Sequence, residues 1–380
     1  MRIVHLISAL TKGGAERVAV ELANQAAREG HEVAVVAATA ADPRLLADLL
    51  DPAVDYRTIT PAGTAKAAWY RAGSVWLWRE RAWLGSRDVV HCHLTFAAYL
   101  GTLIGAARRA RGTRYPRVVE TIHAVGMPIP AAQRRRIRFF AAGRDGVALM
   151  AADPYWRAFA ADRPALPVHF IANGIALPQP AAPDARAAAR AALGIPPEAL
   201  VVGTIGRMVA ERMPLALLEA FAAVPGQDGG PHLVMGGAGP LVEPVRREAA
   251  ARGLAHRVHC PGLIEYPVRL LAALDLYLSV NVGAVTGIAG LEAAAAGLPV
   301  IAVQTIPGRA AGGDDWIWSD PAPSEVGARI AALLADPEAR TALGERQRAH
   351  VVERHSAAAM HRAYCALYSA AGAQASAERE

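Results

Sequence analysis

The stretch "VNVGAVTGIAGLEAAAAGLPVIA", residues 280–302, passes through two periodicities in succession. An apolar run ends near Asn281, a glycine-rich turn follows, and small residues from about Gly287 to Ala296 carry a single charge, Glu292. Gly297 and Pro299 stop that stretch before a second apolar run, as a glycine cap followed by proline stops a helix. Strand, turn, helix and strand in this order predict two parallel strands joined by a helical crossover.

The same unit recurs on both sides. Before it, "RIVHLIS", "HEVAVVAA", Val89–His91, "YPRVVETIH", "GVALMAA" and "PVHFIANGI" read as strands, with a helix over Ala15–Glu29 and further alanine-rich helical stretches between. In the second half "LVVGTIGRM", "HLVMGGAG", "RVHCPGL", "LDLYLSVN", "LPVIAVQT" and "DWIWSD" continue the series. The chain of 380 residues is 53% apolar and 19% charged, enough for two packed cores of roughly 150–200 residues each. The fold class is therefore α/β, with two doubly wound Rossmann-like domains over 1–175 and 176–350. Pro- and Ala-rich Leu177–Ala192 is the expected linker leading into a helix, and a cleft between the domains is expected. Residues 351–380 follow as a last segment, whose terminal "AGAQASAERE" reads as a frayed tail.

Several function classes are disfavoured. Cys92, Cys260 and Cys365 are far apart, which argues against a disulfide framework and a zinc site and suits a reducing cytoplasm. "MRIVHLIS" lacks the length and cleavage region of a signal peptide, and no window approaches a membrane span. Lys12 and Lys66 are the only lysines, so a P-loop is absent. Residues 1–175 hold 23 Lys+Arg against 14 Asp+Glu, and residues 176–380 hold 17 against 20. The first half is thus the better candidate to face an anion, but its basic residues are dispersed without a base-reading motif, so no nucleic-acid partner is expected.

Three loops fall where parallel sheets bind ligands, beyond the carboxyl ends of strands. In "SALTKGGAERVAVELA" (8–23), Gly13 and Gly14 either expose helix amides to an anion or form an ordinary turn. In "GTIGRMVAERM" (203–213), Arg207 and Arg212 either converge on a diphosphate or lie solvated. "MGGAGPLVEPV" (235–245) matches a dinucleotide fingerprint only partly and lacks its acidic ribose partner, so a redox cofactor is not expected. Glu292, one turn into its helix, has a carboxylate suited to vicinal ribose hydroxyls; a surface glutamate is the alternative.

Taken in order, "TKGGAERV", "HFIANGI", "GRMVAER", "MGGAGPL", "PGL" and "GLEAAAAGLPVIA" resemble glycosyltransferase family 4 over essentially the whole chain. The resemblance implies a GT-B fold and retaining transfer from a nucleotide sugar, UDP- or GDP-linked, with no obligatory metal or cofactor. It implies that Arg207 binds the donor diphosphate and that Arg212 stands where lysine is usual. Glu292 matches the second glutamate of the family's E-x7-E motif, and Ala284 replaces the first; Asn281 and Thr286 are neighbours that could compensate. His123 resembles the histidine that reaches the transferred sugar, with a buried structural histidine as the alternative. His123, Arg207 and Arg212 are thus the candidate catalytic residues. Gly13, Gly14, Gly206, Gly237, Gly262, Thr286 and Gly287 join Arg207, Arg212 and Glu292 as the candidate nucleotide-sugar site.

The resemblance also implies a helix within "RHSAAAMHRAYCALYSA" that packs back on the first domain. His91 and His93 flank Cys92 at a strand end, where alternation alone accounts for them, and Asn173-Gly174 shapes the interdomain turn. Asp314 and Asp315 belong to a loop or helix end. "WYRAGSVWLWRERAW" (69–83) and the run Arg134, Arg135, Arg136 and Arg138 either pack and solvate as core and surface or meet an anionic lipid interface. The expected acceptor is a glycan or a polyprenyl- or lipid-linked sugar, and the expected place is the cytoplasm, with contact at the inner face of the cytoplasmic membrane where the lipid alternative holds. A nucleotide-sugar epimerase and a noncatalytic sugar-nucleotide-binding scaffold are the competing readings, the latter favoured by Ala284.

Overall fold

The computed structural model describes residues 1–11, 13–113, 116–123, 131–141, 143–150, 154–162, 165–178, 182, 184–226, 229–263, 267–281, 286–304 and 316–369. Two units emerge, Met1–Gly174 with Ala357–Glu380, and Ile175–Ser356.

In the first unit β-branched runs form β1 (Arg2–Ile7), β2 (Glu32–Thr39), β3 (Asp55–Thr60), β4 (Val89–His93), β5 (Arg117–Ile122), β6 (Gly146–Leu149) and β7 (Val168–Phe170). Between them lie α1 (Gly14–Arg28), α2 (Pro43–Leu49), α3 (Lys66–Arg79), α4 (Arg81–Gly85), α5 (Leu94–Ala110), α6 (Ala131–Ala141) and α7 (Pro154–Ala161). The sheet order is β3-β2-β1-β4-β5-β6-β7, with every pair parallel. Pleating sends alternate residues to opposite faces. Val4, Leu6, Val90, Cys92 and Val118 therefore pack with Phe96, Leu100 and Ile104 of α5 and with Trp69 of α3. The other face carries His5, His91 and His93, all buried. The strand β3 escapes the sequence reading because "DYRTIT" is half polar; it forms as an edge strand paired to β2.

The second unit contains α8 (Ala185–Ala192), β8 (Val201–Ile205), α9 (Pro214–Ala222), β9 (His232–Gly236), α10 (Val242–Ala251), β10 (Val258–Gly262) and α11 (Pro267–Leu271). It continues with β11 (Leu276–Asn281), α12 (Ile288–Ala295), β12 (Val300–Gln304), β13 (Ile317–Ser319), α13 (Pro323–Ala335) and α14 (Pro337–Arg354). The parallel order is β10-β9-β8-β11-β12-β13. Apolar clusters cover both faces, one around Phe221, Leu278 and Ile330, the other around Tyr277, Leu291 and Val351, which is why these strands read as continuous apolar runs. The helix in the expected linker, α8, is held in this unit: the Arg190 side chain is buried, with Nη2 donating to Asp275 at 2.8 Å and Nε donating to the Ala273 carbonyl at 3.1 Å.

The last helix, α15 (Ala357–Ser369), belongs to the first unit. Its Tyr368 hydroxyl lies 2.7 Å from His91 Nδ1, and its Tyr364 hydroxyl lies 2.8 Å from Thr121 Oγ1.

Three loops at the carboxyl edge of the second sheet zip together through backbone alone. Gly206 N–H donates to Gly236 O at 2.9 Å, Met208 N–H to Ala238 O at 2.9 Å, and Gly237 N–H to Gly262 O at 2.7 Å. Gly237 (φ 143°) and Gly239 (φ 154°) sit so close that a Cβ on either would overlap the carbonyl oxygen of Gly206 or Met208. Glycine there is demanded by the fold. Gly237→Ala should therefore lower stability by about 2 kcal/mol or more, through strain and lost loop hydrogen bonds. A urea melt of the variant coincident with wild type would contradict this account.

Candidate functional site

Strand order reverses direction between β8 and β11 in the second sheet, and ligands of doubly wound folds bind outside the carboxyl ends of strands at such a switch point. Arg207 lies one residue beyond β8, after Gly206, and is exposed. Five residues on, Arg212 ends a short 3-10 turn and its Nη1 donates to the Val280 carbonyl of β11 at 2.6 Å. Burial lowers Arg212 from the ordinary arginine value, Tyr277 opposes that, and the neighbouring positive charge of Arg207 adds to it. Two guanidinium groups whose charges act on one another favour a nearby anion.

Tyr277 is the hub that the sequence reading missed. Its buried hydroxyl donates to the Ile205 carbonyl at 3.2 Å and lies 3.1 Å from the Ile205 N–H, pinning the end of β8 to β11. Burial raises its pKa, the Ile205 hydrogen bond opposes the rise, the Glu292 carboxylate adds to it and Arg212 offsets it. Glu292 and Arg212 thus act on one hydroxyl within the second unit, and Arg207 acts on Arg212. The available signal was a lone tyrosine in the apolar run "LDLYLSVN", because a buried phenol needs a partner.

The predicted helix appears as α12, with Gly287 as N-cap and Ala296 as C-cap. Glu292 is half-buried one turn in, and Thr286 is buried beside the cap. Ala284 and the Asn281 side chain lie outside the described residues, as do Lys12, Asp314 and Asp315. At Gly206 a Cβ would meet nothing within 4 Å among the described residues. Gly262 has φ 83°, and its carbonyl closes the zipped loops.

In the first unit Gly13 caps α1, and Gly14 is its first residue, beyond the carboxyl end of β1. Thr11 Oγ1 donates to Glu16 at 3.0 Å across the start of this helix. Asn173 is buried, and the Gly174 N–H reaches Met360 Sδ at 3.1 Å. His123 is half-buried just after β5. His93 Nδ1 lies 3.1 Å from His123 Nε2, and His93 Nε2 lies 3.1 Å from His5 Nδ1. Alternation along β4, offered above as the whole account of His91 and His93, is therefore incomplete. His91 bridges Thr121 Oγ1 and the Tyr368 hydroxyl at 2.7 Å each.

Two sets of potential ligand atoms cluster within 4.8 Å among the described residues: His5, His91 and His93, and His31, His361 and Cys365. In the first, both nitrogens of His91 already meet hydroxyls and the other rings bond to each other, which is the pattern of a hydrogen-bond network. In the second, His361 Nδ1 meets Glu29 at 3.0 Å and Cys365 Sγ lies 3.5 Å from His361 Nε2.

Residues 12–178 match the family model described as Glycosyltransferase Family 4, and residues 185–350 match Glycosyl transferases group 1. The chain belongs to the GT-B glycosyltransferases. Anabaena HepE in complex with UDP and glucose superposes with a TM-score of 0.77 at 18% identity, over 97% of this chain and 100% of that one. Sucrose-phosphate synthase from Thermosynechococcus elongatus gives 0.72 at 20% identity, over 98% and 100%. A D-inositol 3-phosphate glycosyltransferase of Segniliparus rotundus is 32% identical over 182 residues, 44% of this chain and 39% of that protein. That of Mycolicibacterium gilvum is 35% identical over 128 residues, 32% and 28%. The chain thus spans less than half the length of either relative.

No helix among the described residues is long and apolar enough to cross a membrane. The aromatic stretch forms α3 and α4: Trp69 is buried, Trp78 is 67% exposed, and Trp83 stacks under Arg57 at 4.2 Å. On α6, Arg135, Arg138 and Phe139 are exposed; the Arg134 and Arg136 side chains lie outside the described residues.

The histidine network also sets a stability profile. Burial, with the charge of His361 adding, lowers His5 to about 3; burial lowers His123 to about 4 and, with neighbouring rings, holds His91 and His93 well below the ordinary value. Unfolded histidines titrate near 6.5, so the unfolded chain takes up protons first as pH falls. The stability from neutral rings is complete above about 6.5 and is lost on descending towards 4 and 3. Urea midpoints should accordingly fall between pH 7.5 and pH 5, a window in which ordinary carboxylates stay ionised; equal midpoints would show that these rings are not held neutral.

Proposed function

We propose that this glycosyltransferase moves a sugar, with retention of anomeric configuration, from a nucleotide-sugar donor held by residues 175–356 to a glycan or lipid-linked acceptor engaged by the first unit. The observation that supports this reading is that Arg212 and Glu292 both act on the buried Tyr277 hydroxyl, with Arg207 acting on Arg212 and Arg212 Nη1 bonded to the Val280 carbonyl, beside the β8/β11 switch point. Breaking the bond from the anomeric carbon to a diphosphate oxygen builds negative charge on the departing group. Fixed guanidinium groups that meet this charge lower the barrier because they are already oriented. Glu292 holds the ribose hydroxyls, and Gly206 leaves room for the nucleotide beside the backbone. The acceptor attacks the face the diphosphate leaves, and a diphosphate oxygen takes the acceptor proton, so no protein nucleophile is assigned. Gly13 and Gly14 border the acceptor side, and His123 hydrogen-bonds the transferred sugar.

UDP is the favoured carrier, since HepE was solved with UDP and with UDP-glucose. WaaG, described as involved in lipopolysaccharide biosynthesis, shares the fold, and with the exposed Arg135, Arg138, Phe139 and Trp78 it supports a cell-envelope acceptor met at the cytoplasmic face of an anionic membrane. Flotation with anionic vesicles, but not with neutral ones, is the expected sign of that contact.

Calorimetry should find binding of UDP in preference to GDP and ADP; no binding of any of them would overturn the assignment. Glu292→Ala should weaken UDP about tenfold through lost hydrogen bonds, and Arg207→Ala should weaken it further and depress transfer. Gly206→Ala should unfold at the wild-type urea midpoint yet bind UDP more weakly. A folded Arg207→Ala protein with wild-type affinity and turnover would remove that residue from the site.

A further inference from the structure

The row of histidines in the first unit has a direction. In register, His5 on β1 faces His91 on β4, and His93 on β4 faces Thr121 on β5. Residues two apart share a sheet face, so His5, His93 and His123 form a diagonal, each step crossing one strand and advancing two residues towards the carboxyl edge. The steps are hydrogen bonds of 3.1 Å between ring nitrogens, His5 Nδ1 to His93 Nε2 and His93 Nδ1 to His123 Nε2. At the two ends, His5 Nε2 and His123 Nδ1 are buried with no hydrogen-bond partner among the described residues.

We propose that His5 and His93 are positioning residues for the transfer reaction, fixing His123 in the tautomer that presents Nδ1–H as a donor to an oxygen of the sugar. A neutral imidazole has one N–H and one lone pair. In a row of three, placing one proton therefore places the others. Either every N–H points towards His123 or every N–H points towards His5. The second arrangement leaves an N–H at His5 Nε2, in the core of the sheet, where no ligand reaches a residue only 1% exposed. Either arrangement leaves one buried N–H unmet by the described residues, and an unmet donor is costly; only at His123, at the carboxyl edge, can a ligand oxygen meet it, and that selects the first arrangement. His5 Nδ1–H then donates to His93, His93 Nδ1–H donates to His123 Nε2, and the unmet donor is His123 Nδ1–H, at the carboxyl edge where sheets of this kind receive ligands. The surroundings leave the row intact. His91, Thr121, Tyr364 and Tyr368 satisfy one another by hydroxyl contacts of 2.7 to 2.8 Å, and burial keeps all four rings neutral.

The inference rests on the reading of His123 as a sugar-facing residue, but its first test does not. Nitrogen-15 NMR of histidine-labelled wild-type protein reports which ring nitrogen of His123 is protonated, with His123→Gln supplying the assignment. Protonation at Nδ1 is the expected result; protonation at Nε2 overturns the proposal whether or not any donor is turned over. In His5→Leu the row loses its fixed end, so His123 should become a mixture of tautomers and kcat should fall about tenfold, the worth of one positioned hydrogen bond, with UDP affinity unchanged. A folded His5→Leu protein with the wild-type tautomer and kcat also overturns it. If His5→Leu does not fold, the wild-type spectrum decides alone; if wild type binds no nucleotide, the donor-site reading fails while the spectrum still judges the row.

Discussion

The constraint on which the rest depends is the reversal of strand order beside the first strand of each sheet. β1 and β8 each stand between a strand that follows them directly and one that follows after the chain has returned from the edge. Crossovers leave these neighbours in opposite directions, so the loops at their carboxyl ends part and leave backbone and side chains uncovered by a crossover helix. Both candidate clusters grow from this feature. In the first unit the diagonal of histidines begins on β1 and crosses β4; in the second, Arg207 leaves β8 and Arg212 reaches back to the carbonyl of Val280 on β11.

Glycine serves two separate ends at that edge, and only the structure tells them apart. Gly237 and Gly239 are required because neighbouring carbonyls occupy the space of a side chain. Gly206, in the same zipped loops, has open space where a side chain would lie. Under the proposed function that open space, one residue before Arg207, is where the nucleotide lies against the backbone. Sequence motifs merge the two, which is why "MGGAGPL" is weak by itself and stronger once its backbone partners are known.

Much of the fold was legible because parallel strands buried on both faces announce themselves as apolar runs, and "GLEAAAAGLPVIA" carries its own helix stop. "DYRTIT" was not legible, because an edge strand needs only one buried side and shows half the signal. In the site, Arg207, Arg212 and Glu292 could be named from the order of motifs, but Tyr277 could not, since its role arises from a hydrogen bond to Ile205, more than seventy positions away and on an adjacent strand. The partnership of His5, His93 and His123 was hidden for a sharper reason. A diagonal across three strands exists only once the registers of two pairings are fixed, and one residue of slip in either would turn a ring to the opposite face.

The two clusters also differ in charge in the way the proposed reaction requires. As a glycosidic bond to diphosphate loosens, negative charge gathers on the leaving group while the sugar acquires oxocarbenium character. Positive groups help the first and harm the second. Arginine, which stays protonated even where Arg212 is partly buried, suits the diphosphate. A histidine near the sugar is useful only if it donates a hydrogen bond without carrying a full charge, and an isolated histidine titrating near 6.5 would be partly cationic at neutral pH. Seating His123 at the end of a buried row lowers it to about 4, so its donor persists and its charge does not. The burial that makes the first unit sensitive to acid is thus the same burial that keeps the His123 imidazole neutral, and relieving one by moving the ring into solvent would forfeit the other.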